Sequence, residues 1–287
     1  MELGISFKKI RRNKGYSQLY LVDSIISQGS YSKFEDGKSS IKANKFLELL
    51  NKIHMSPNEF IFISNGYKYT EEQQLVREFF NLPYNDVRSL KLVKDKIIHY
   101  LSFHDDVMFG QLLIVCDALI KLSSTNDIDS ARKIVMPVWE KLSNQNSWYL
   151  VDIQILNVVL YLFSVDVAIE MTKYILKRLD MYKGHSEANS LHFTLRINLA
   201  YLLINDKNYK EALSILEYTL NNYRKKMPYQ SLALCFSRKS LCLQKLGVDS
   251  SNKFLQKAQQ LLDIYDDESM IKLINKEYEI YSSKEST

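Results

Sequence analysis

Apolar residues recur three and four positions apart along most of this chain, the spacing that gathers them on one side of an α-helix. In residues 3–14 Ile5, Phe7 and Ile10 are apolar, Lys8, Lys9, Arg11, Arg12 and Lys14 lie outside, and Gly15 closes the helix. Ser17 can cap a short second helix, 17–24, with Leu21 and Ile25 inward. After a turn at Ile26–Ser27 a third helix is expected over 28–35. There Tyr31 and Phe34, spaced i, i+3, turn inward together and leave Gln28, Ser30 and Lys33 outside, and Gly37 ends the helix where a positive φ is useful. Residues 42–54 predict a fourth helix with Phe46, Leu47, Leu50 and Ile53 inward. Residues 56–63 predict a fifth, capped by Ser56 with Pro57 in its first turn.

Residues 65–69 (NGYKY) read as a linker around the breaker Gly66. Beyond them the pattern predicts helices near 70–81, 84–101, 106–123, 127–143, 147–163, 166–180, 187–205, 208–224, 229–246, 250–264 and 267–281. Pro83 and Pro228 fall at boundaries, whereas Pro137 falls inside a helix and should bend it or shift its start. The breaks STND, NDKN and GVDSSN supply turns, so the helices form hairpins recurring every 41–42 residues. The clearest unit, 196–220, with the stretch INLAYLLINDKNYKEALSILEYTL, resembles a tetratricopeptide repeat. Leu199, Ala200, Tyr209 and Ala212 take that motif's small and aromatic positions, where small residues let two helices approach closely. Ala131 and Ala168 stand in the place of Ala212, and Leu241 in that of Leu199. The expected fold is therefore all-α: a five-helix domain over 1–64, a linker over 65–69 and a TPR-like helical repeat domain over 70–287. An unrelated helical bundle is the alternative.

Composition agrees with helices: only 8 Gly and 4 Pro punctuate 287 residues, and 46% are hydrophobic, enough for a substantial core. The net charge of +5 is uneven, because residues 1–64 hold ten Lys/Arg against six Asp/Glu and so carry most of it. A small basic head on a nearly neutral body fits a nucleic-acid-binding domain joined to something else. Cys116, Cys235 and Cys242 sit in apolar helical contexts with no CxxC, as reduced core residues of a cytosolic protein would. No apolar signal run follows Met1. The most apolar stretch, 153–163, is short and includes Gln154 and Asn157, so no membrane span and a cytoplasmic location are expected.

Two short helices joined by a tight turn over 17–37 look like the core of a helix-turn-helix, a unit that presents one helix to the DNA major groove. Gln28 and Ser30, beside Ser27 at the helix start, are candidates for base edges, and Lys33 for a phosphate or a guanine. Gln18 begins the preceding helix, where a side chain and backbone N–H groups can grip phosphate; Arg11, Arg12 and Lys38 would add backbone charge. The stretches IRRNKGYSQ, YSKFEDG and LLNKIHMSPNEF resemble the XRE-type helix-turn-helix. The run SQGSYSKFEDGKSSI, 27–41, resembles that of the Rgg/MutR regulators of Gram-positive bacteria, which usually carry Arg where Lys33 and Asp36 stand. The resemblance implies a dimeric, PlcR-like transcription regulator that binds an inverted-repeat operator. It also implies a repeat domain that receives a short secreted peptide pheromone.

In a stack of hairpins the first helix of each pair lines the inner wall. Aligning the units on their turns puts Asp117, Asn157 and Asn198 in one column, with Lys239 or Ser240 next; amides there can bond an extended peptide backbone. Arg196 and Arg238, 42 residues apart, can hold a carboxylate. Solvated polar positions, or amides bonding between helices, are the competing explanations. The five histidines show no metal-ligand spacing, and neither GxSxG nor a P-loop occurs, so neither an enzyme nor a metal or cofactor is expected. A repeat scaffold for a protein partner, or an XRE-type regulator without a peptide ligand, are the alternative functions.

Overall fold

The computed structural model describes residues 3–82, 86–249 and 251–282, and their regular structure is helical. Pro83, read as a boundary, and Ser250, read as part of a turn, lie outside the described residues. The chain divides into two compact units, 1–81 and 82–287.

The first unit contains α1 (Leu3–Asn13), α2 (Gln18–Val22), α3 (Gln28–Glu35), α4 (Ala43–Lys52), α5 (Pro57–Ser64) and α6 (Glu71–Phe80). Local chemistry sets most of these boundaries. The hydroxyls of Ser17, Ser27 and Ser56 accept hydrogen bonds from the N–H groups of Tyr20, Ser30 and Glu59, at 3.1, 3.3 and 3.1 Å. Gly15 and Gly37 end α1 and α3 at φ of 73° and 71°, which costs a glycine little. Phe7 is the hub of the core: its ring centroid lies 6.0–6.3 Å from those of Tyr31, Phe34, Phe46 and Phe60. Leu21, Leu49, Leu50 and Ile53 close around it, each fully buried and each contributing about 1.5–3 kcal/mol by leaving water. Leu47, expected inward, is instead exposed, because the stripe that reaches the core is Phe46, Leu49, Leu50 and Ile53. α6, expected to open the repeat array, is grouped with the first unit and begins in a Thr70–Gln73 capping box.

The second unit comprises α7 (Val87–Leu101), α8 (Val107–Thr125), α9 (Ile128–Ser143), α10 (Leu150–Val159), α11 (Val165–Leu179), α12 (Ser186–Asn205), α13 (Tyr209–Tyr223), α14 (Tyr229–Lys245), α15 (Ser251–Ile264) and α16 (Glu268–Ser282). The stretch expected as one helix to 163 leaves α-geometry at Leu160–Leu162, a 3₁₀ turn packed against α9 and α12. Pro137 lies inside α9, which runs through it. Neighbours in sequence pack as hairpins, α8 with α9, α12 with α13 and α14 with α15. α10 also packs on α12, α12 on α14 and α14 on α16, so alternate helices form a continuous inner row. Ala131, Ala168 and Ala212 are fully buried where the helices meet, as their repeat positions require. Among the described residues one helix, α8, is long and apolar enough to cross a membrane. Its Phe109, Leu112, Val115, Cys116 and Leu119 are buried within the unit, as in a core helix. The three cysteines are unpaired and buried, and burial pushes each thiol up to about 12.

α1 approaches the end of α3 so closely that a Cβ at Gly4 would lie 1.7 Å from the Phe34 carbonyl oxygen. Gly4→Ala should therefore cost about 1–3 kcal/mol through forced separation of the two helices. Thermal unfolding followed by circular dichroism checks this, and an unchanged midpoint would contradict the close approach.

Candidate nucleic-acid face and inner wall

The outer side of α3 exposes Gln28, Ser30 and Lys33, while Tyr31 and Phe34 anchor its inner side in the core. Ser27 is the N-cap: its hydroxyl accepts from the Ser30 N–H at 3.3 Å and donates to the Ser30 hydroxyl at 2.9 Å. Its first duty is thus to start the helix, which leaves Gln28, Ser30 and Lys33 as the outward groups. Arg12 and Lys38 are exposed at the edges of this face. Lys8 donates to Asp36 at 2.6 Å, with Lys38 at 3.9 Å, and that bond holds the Asp36 carboxyl below its ordinary range.

Arg11, expected to add phosphate contact, is buried and fully engaged. Its Nε and Nη2 donate to Glu35 Oε1 and Oε2 at 2.6 and 2.8 Å, and its Nη1 donates to the Tyr16 carbonyl at 2.7 Å. Gln18 Nε2 donates to the same carboxylate at 2.7 Å, so the Gln18 side chain already braces α2 against α3. Burial pushes the Glu35 carboxyl up, but hydrogen bonds from Arg11 and Gln18 outweigh it and hold the group below its usual value. Glu35 was not among the residues expected at the site. Its only signal in the sequence is a carboxylate four residues after Tyr31, on the inward face of α3.

In the second unit the inner row brings Asn157 and Asn198 together. Asn198 Nδ2 donates to Asn157 Oδ1 at 3.0 Å and approaches the Asn157 carbonyl at 3.4 Å; Asn157 Nδ2 reaches Thr194 Oγ1 at 3.5 Å. The amides therefore link α10 to α12, and Asn198 keeps its own Oδ1 for a further partner. Asp117 leaves the column, because it accepts from Lys94 of α7 at 2.5 Å. Arg196 and Arg238 do not form a pair. Arg196 donates to the His192 carbonyl at 2.5 Å and lies over the rings of Tyr218 and Tyr223, at 5.0 and 5.5 Å. Arg238 donates to Glu277 Oε1 and Oε2 at 2.7 and 3.1 Å and to the Ile197 carbonyl at 3.0 Å, over the Tyr201 ring. Contacts between adjacent inner helices here run at 41 residues, Asn157 to Asn198 and Ile197 to Arg238. An offset of 42 rotates a side chain about 100° around the helix, so Arg196 and Arg238 face different neighbours. The carboxylate that Arg238 holds belongs to α16 of the same chain.

The family profile described as HTH-type transcriptional regulator Rgg, C-terminal domain, matches residues 112–276, more than half of the chain. No curated protein matches by sequence. Among solved structures, a candidate transcriptional regulator of Listeria monocytogenes EGD-e superposes with a TM-score of 0.78 at 22% identity, over 99% of this chain and 98% of that one. PlcR of Bacillus thuringiensis, solved with the peptide PapR7 and DNA, gives 0.71 at 17% identity, over 95% and 98%. The SHP pheromone receptor Rgg2 of Streptococcus dysgalactiae gives 0.70 at 17%, over 97% and 99%. At these identities the likeness is one of fold.

Removing the Glu35 charge should leave the Arg11 guanidinium buried and unpaired. Glu35→Gln is expected to cost about 3–5 kcal/mol at neutral pH. Because the folded-state value lies below the unfolded one, this contribution is present above about pH 4.3 and fades as pH falls through the folded value. The urea midpoints of the two proteins should therefore differ most at neutral pH and converge on acidification. A gap that is constant with pH would mean Glu35 is not ionised in the folded state.

Proposed function

The chain belongs to the Rgg family of helix-turn-helix transcriptional regulators, and on that premise we propose that it reads an operator through α3 while a short signalling peptide governs it from the inner wall of its helical repeats. The observation that carries the reading is α3 itself: one side is locked to the core and to Arg11–Glu35, and the other displays Gln28, Ser30 and Lys33. An amide or hydroxyl can meet a base edge in the major groove, and a lysine can meet a guanine or a phosphate. In functional terms residues 1–64 are the reader, 65–69 link it to α6, which is grouped with it, and the hairpins of the second unit, 82–287, are the receptor.

The peptide half of the reading is supported by the solved PlcR, which carries both a peptide and DNA. On the inner row Asn198 has an acceptor left over, and Tyr201 of α12 lies under Arg238 of α14, with Tyr161 close enough to Tyr201 to feel its charge. A homodimer would set two copies of α3 on the halves of an inverted repeat, about one or more helical turns of DNA apart. Peptide binding would favour one placement of the two readers, through a coupling of about 1–3 kcal/mol. The work is done in the cytoplasm, where operator and imported peptide meet, and it calls for neither cofactor nor catalysis.

Gln28→Ala together with Lys33→Ala should weaken operator binding at least tenfold and lower the slope of log K against log salt by about 1, one phosphate contact being lost. Fluorescence anisotropy with a labelled operator across a salt series measures both, and unchanged affinity would reject α3 as the reading helix. For the receptor, the probe is a synthetic short hydrophobic peptide, chosen from a panel by its binding to the unsubstituted protein. Asn198→Ala should loosen this peptide about tenfold while leaving operator affinity intact, and an unaltered peptide titration would remove the amide from the site.

A further inference from the structure

A cleft of 610 Å³ opens over α14 between the ends of α13 and α15, on the side away from the inner row. Its lining is strongly one-signed. Arg224, Lys225, Lys226, Lys239 and Lys257 face it, and among the described residues that line it there is no carboxylate. Lys239 is held by Glu217 at 2.7 Å, whereas no ion pair among the described residues engages the other four. Two phenylalanines lie beside three of these cations: Lys239 is 4.5 Å from the Phe254 ring, Lys257 5.5 Å from it, and Arg224 5.5 Å from Phe236. Arg224, Lys225 and Lys226 are exposed and Lys239 and Lys257 half-buried, so water screens part of their mutual repulsion, and an anion seated among them would relieve the rest.

We propose that this cleft binds a small phosphorylated anion of nucleotide size. Its volume falls within the range of small-molecule sites, about 300–1,000 Å³. A guanidinium fork beside several ammonium point charges suits an oxygen-rich group bearing more than one negative charge. The half-buried Phe254 ring offers an apolar wall to the rest of the molecule, and Asn221 and the free Oδ1 of Asn222, whose amide N–H donates to the Tyr218 carbonyl, offer polar contacts. The site is separate from the peptide wall. Arg238 and Lys239 are consecutive, yet the first turns to α12 and α16 and the second to α13. The inference therefore stands whether or not a peptide binds.

Isothermal titration calorimetry of the full-length protein with GTP, pyrophosphate and guanosine tests it. GTP should bind, pyrophosphate should bind more weakly, and guanosine should give no heat. Lys257→Glu and Lys225→Glu should each weaken GTP at least tenfold, and Lys257→Gln, which keeps most of the aliphatic stem, should also lose affinity. The thermal midpoints of these variants should be unchanged or raised, since each relieves repulsion between like charges. Lys210→Glu, at the other end of α13, should leave GTP affinity intact. Absence of heat with both GTP and pyrophosphate would overturn the proposal, as would equal weakening by Lys210→Glu. Stoichiometric displacement of GTP by a short DNA duplex would overturn it too, by assigning the cleft to the DNA backbone.

Discussion

The outward presentation of Gln28, Ser30 and Lys33 depends on one buried fork, Arg11 with Glu35. Arg11 comes from α1, its third nitrogen holds the Tyr16 carbonyl just before α2, and Glu35 is the last residue of α3. Gln18, the first residue of α2, completes the cluster on the same carboxylate. Three helices are thus tied at one point by directional bonds. An apolar core alone resists sliding weakly, because hydrophobic contacts are not directional. A misaligned fork leaves charge unpaired at low dielectric, so the cluster admits one arrangement of α2 against α3.

The second unit uses the same device. Arg238 on α14 grips Glu277 of α16 and the backbone of α12, while Asn157 and Asn198 link α10 to α12. Polar groups set between neighbouring inner helices fix the register of the stack at 41 residues. They also spend much of the wall's bonding capacity within the protein. Asn198 keeps an amide oxygen that no group among the described residues engages, whereas Tyr201 packs against Tyr281 and under Arg238.

The two faces of α14 divide their work by charge balance. Facing the inner row, the arginine is neutralised by a glutamate of the same chain. Facing α13 and α15, cations outnumber carboxylates, and three of them lie over phenylalanine rings. Burial of the pair favours structure, and the uncompensated cluster favours an outside anion.

Much of this was legible in the residues themselves. The caps at Ser17, Ser27 and Ser56, the glycine stops, and the inward turn of Tyr31 and Phe34 are local matters, decided within one or two helical turns. So too were the hairpins and the buried alanines of the repeats. What the sequence could not reveal was the destination of long polar side chains. Arg11 read as a surface charge because its partner lies 24 residues away, and Arg238 read as a free anchor because Glu277 lies 39 residues on. A repeat length uncertain by a single residue turned Arg196 to the wrong neighbour, since one residue is about 100° of helix. Periodicity determines which side of a helix is apolar; only the packed fold decides whether a charge on the other side meets solvent, a ligand or a carboxylate of its own chain, because that choice depends on contacts between distant segments.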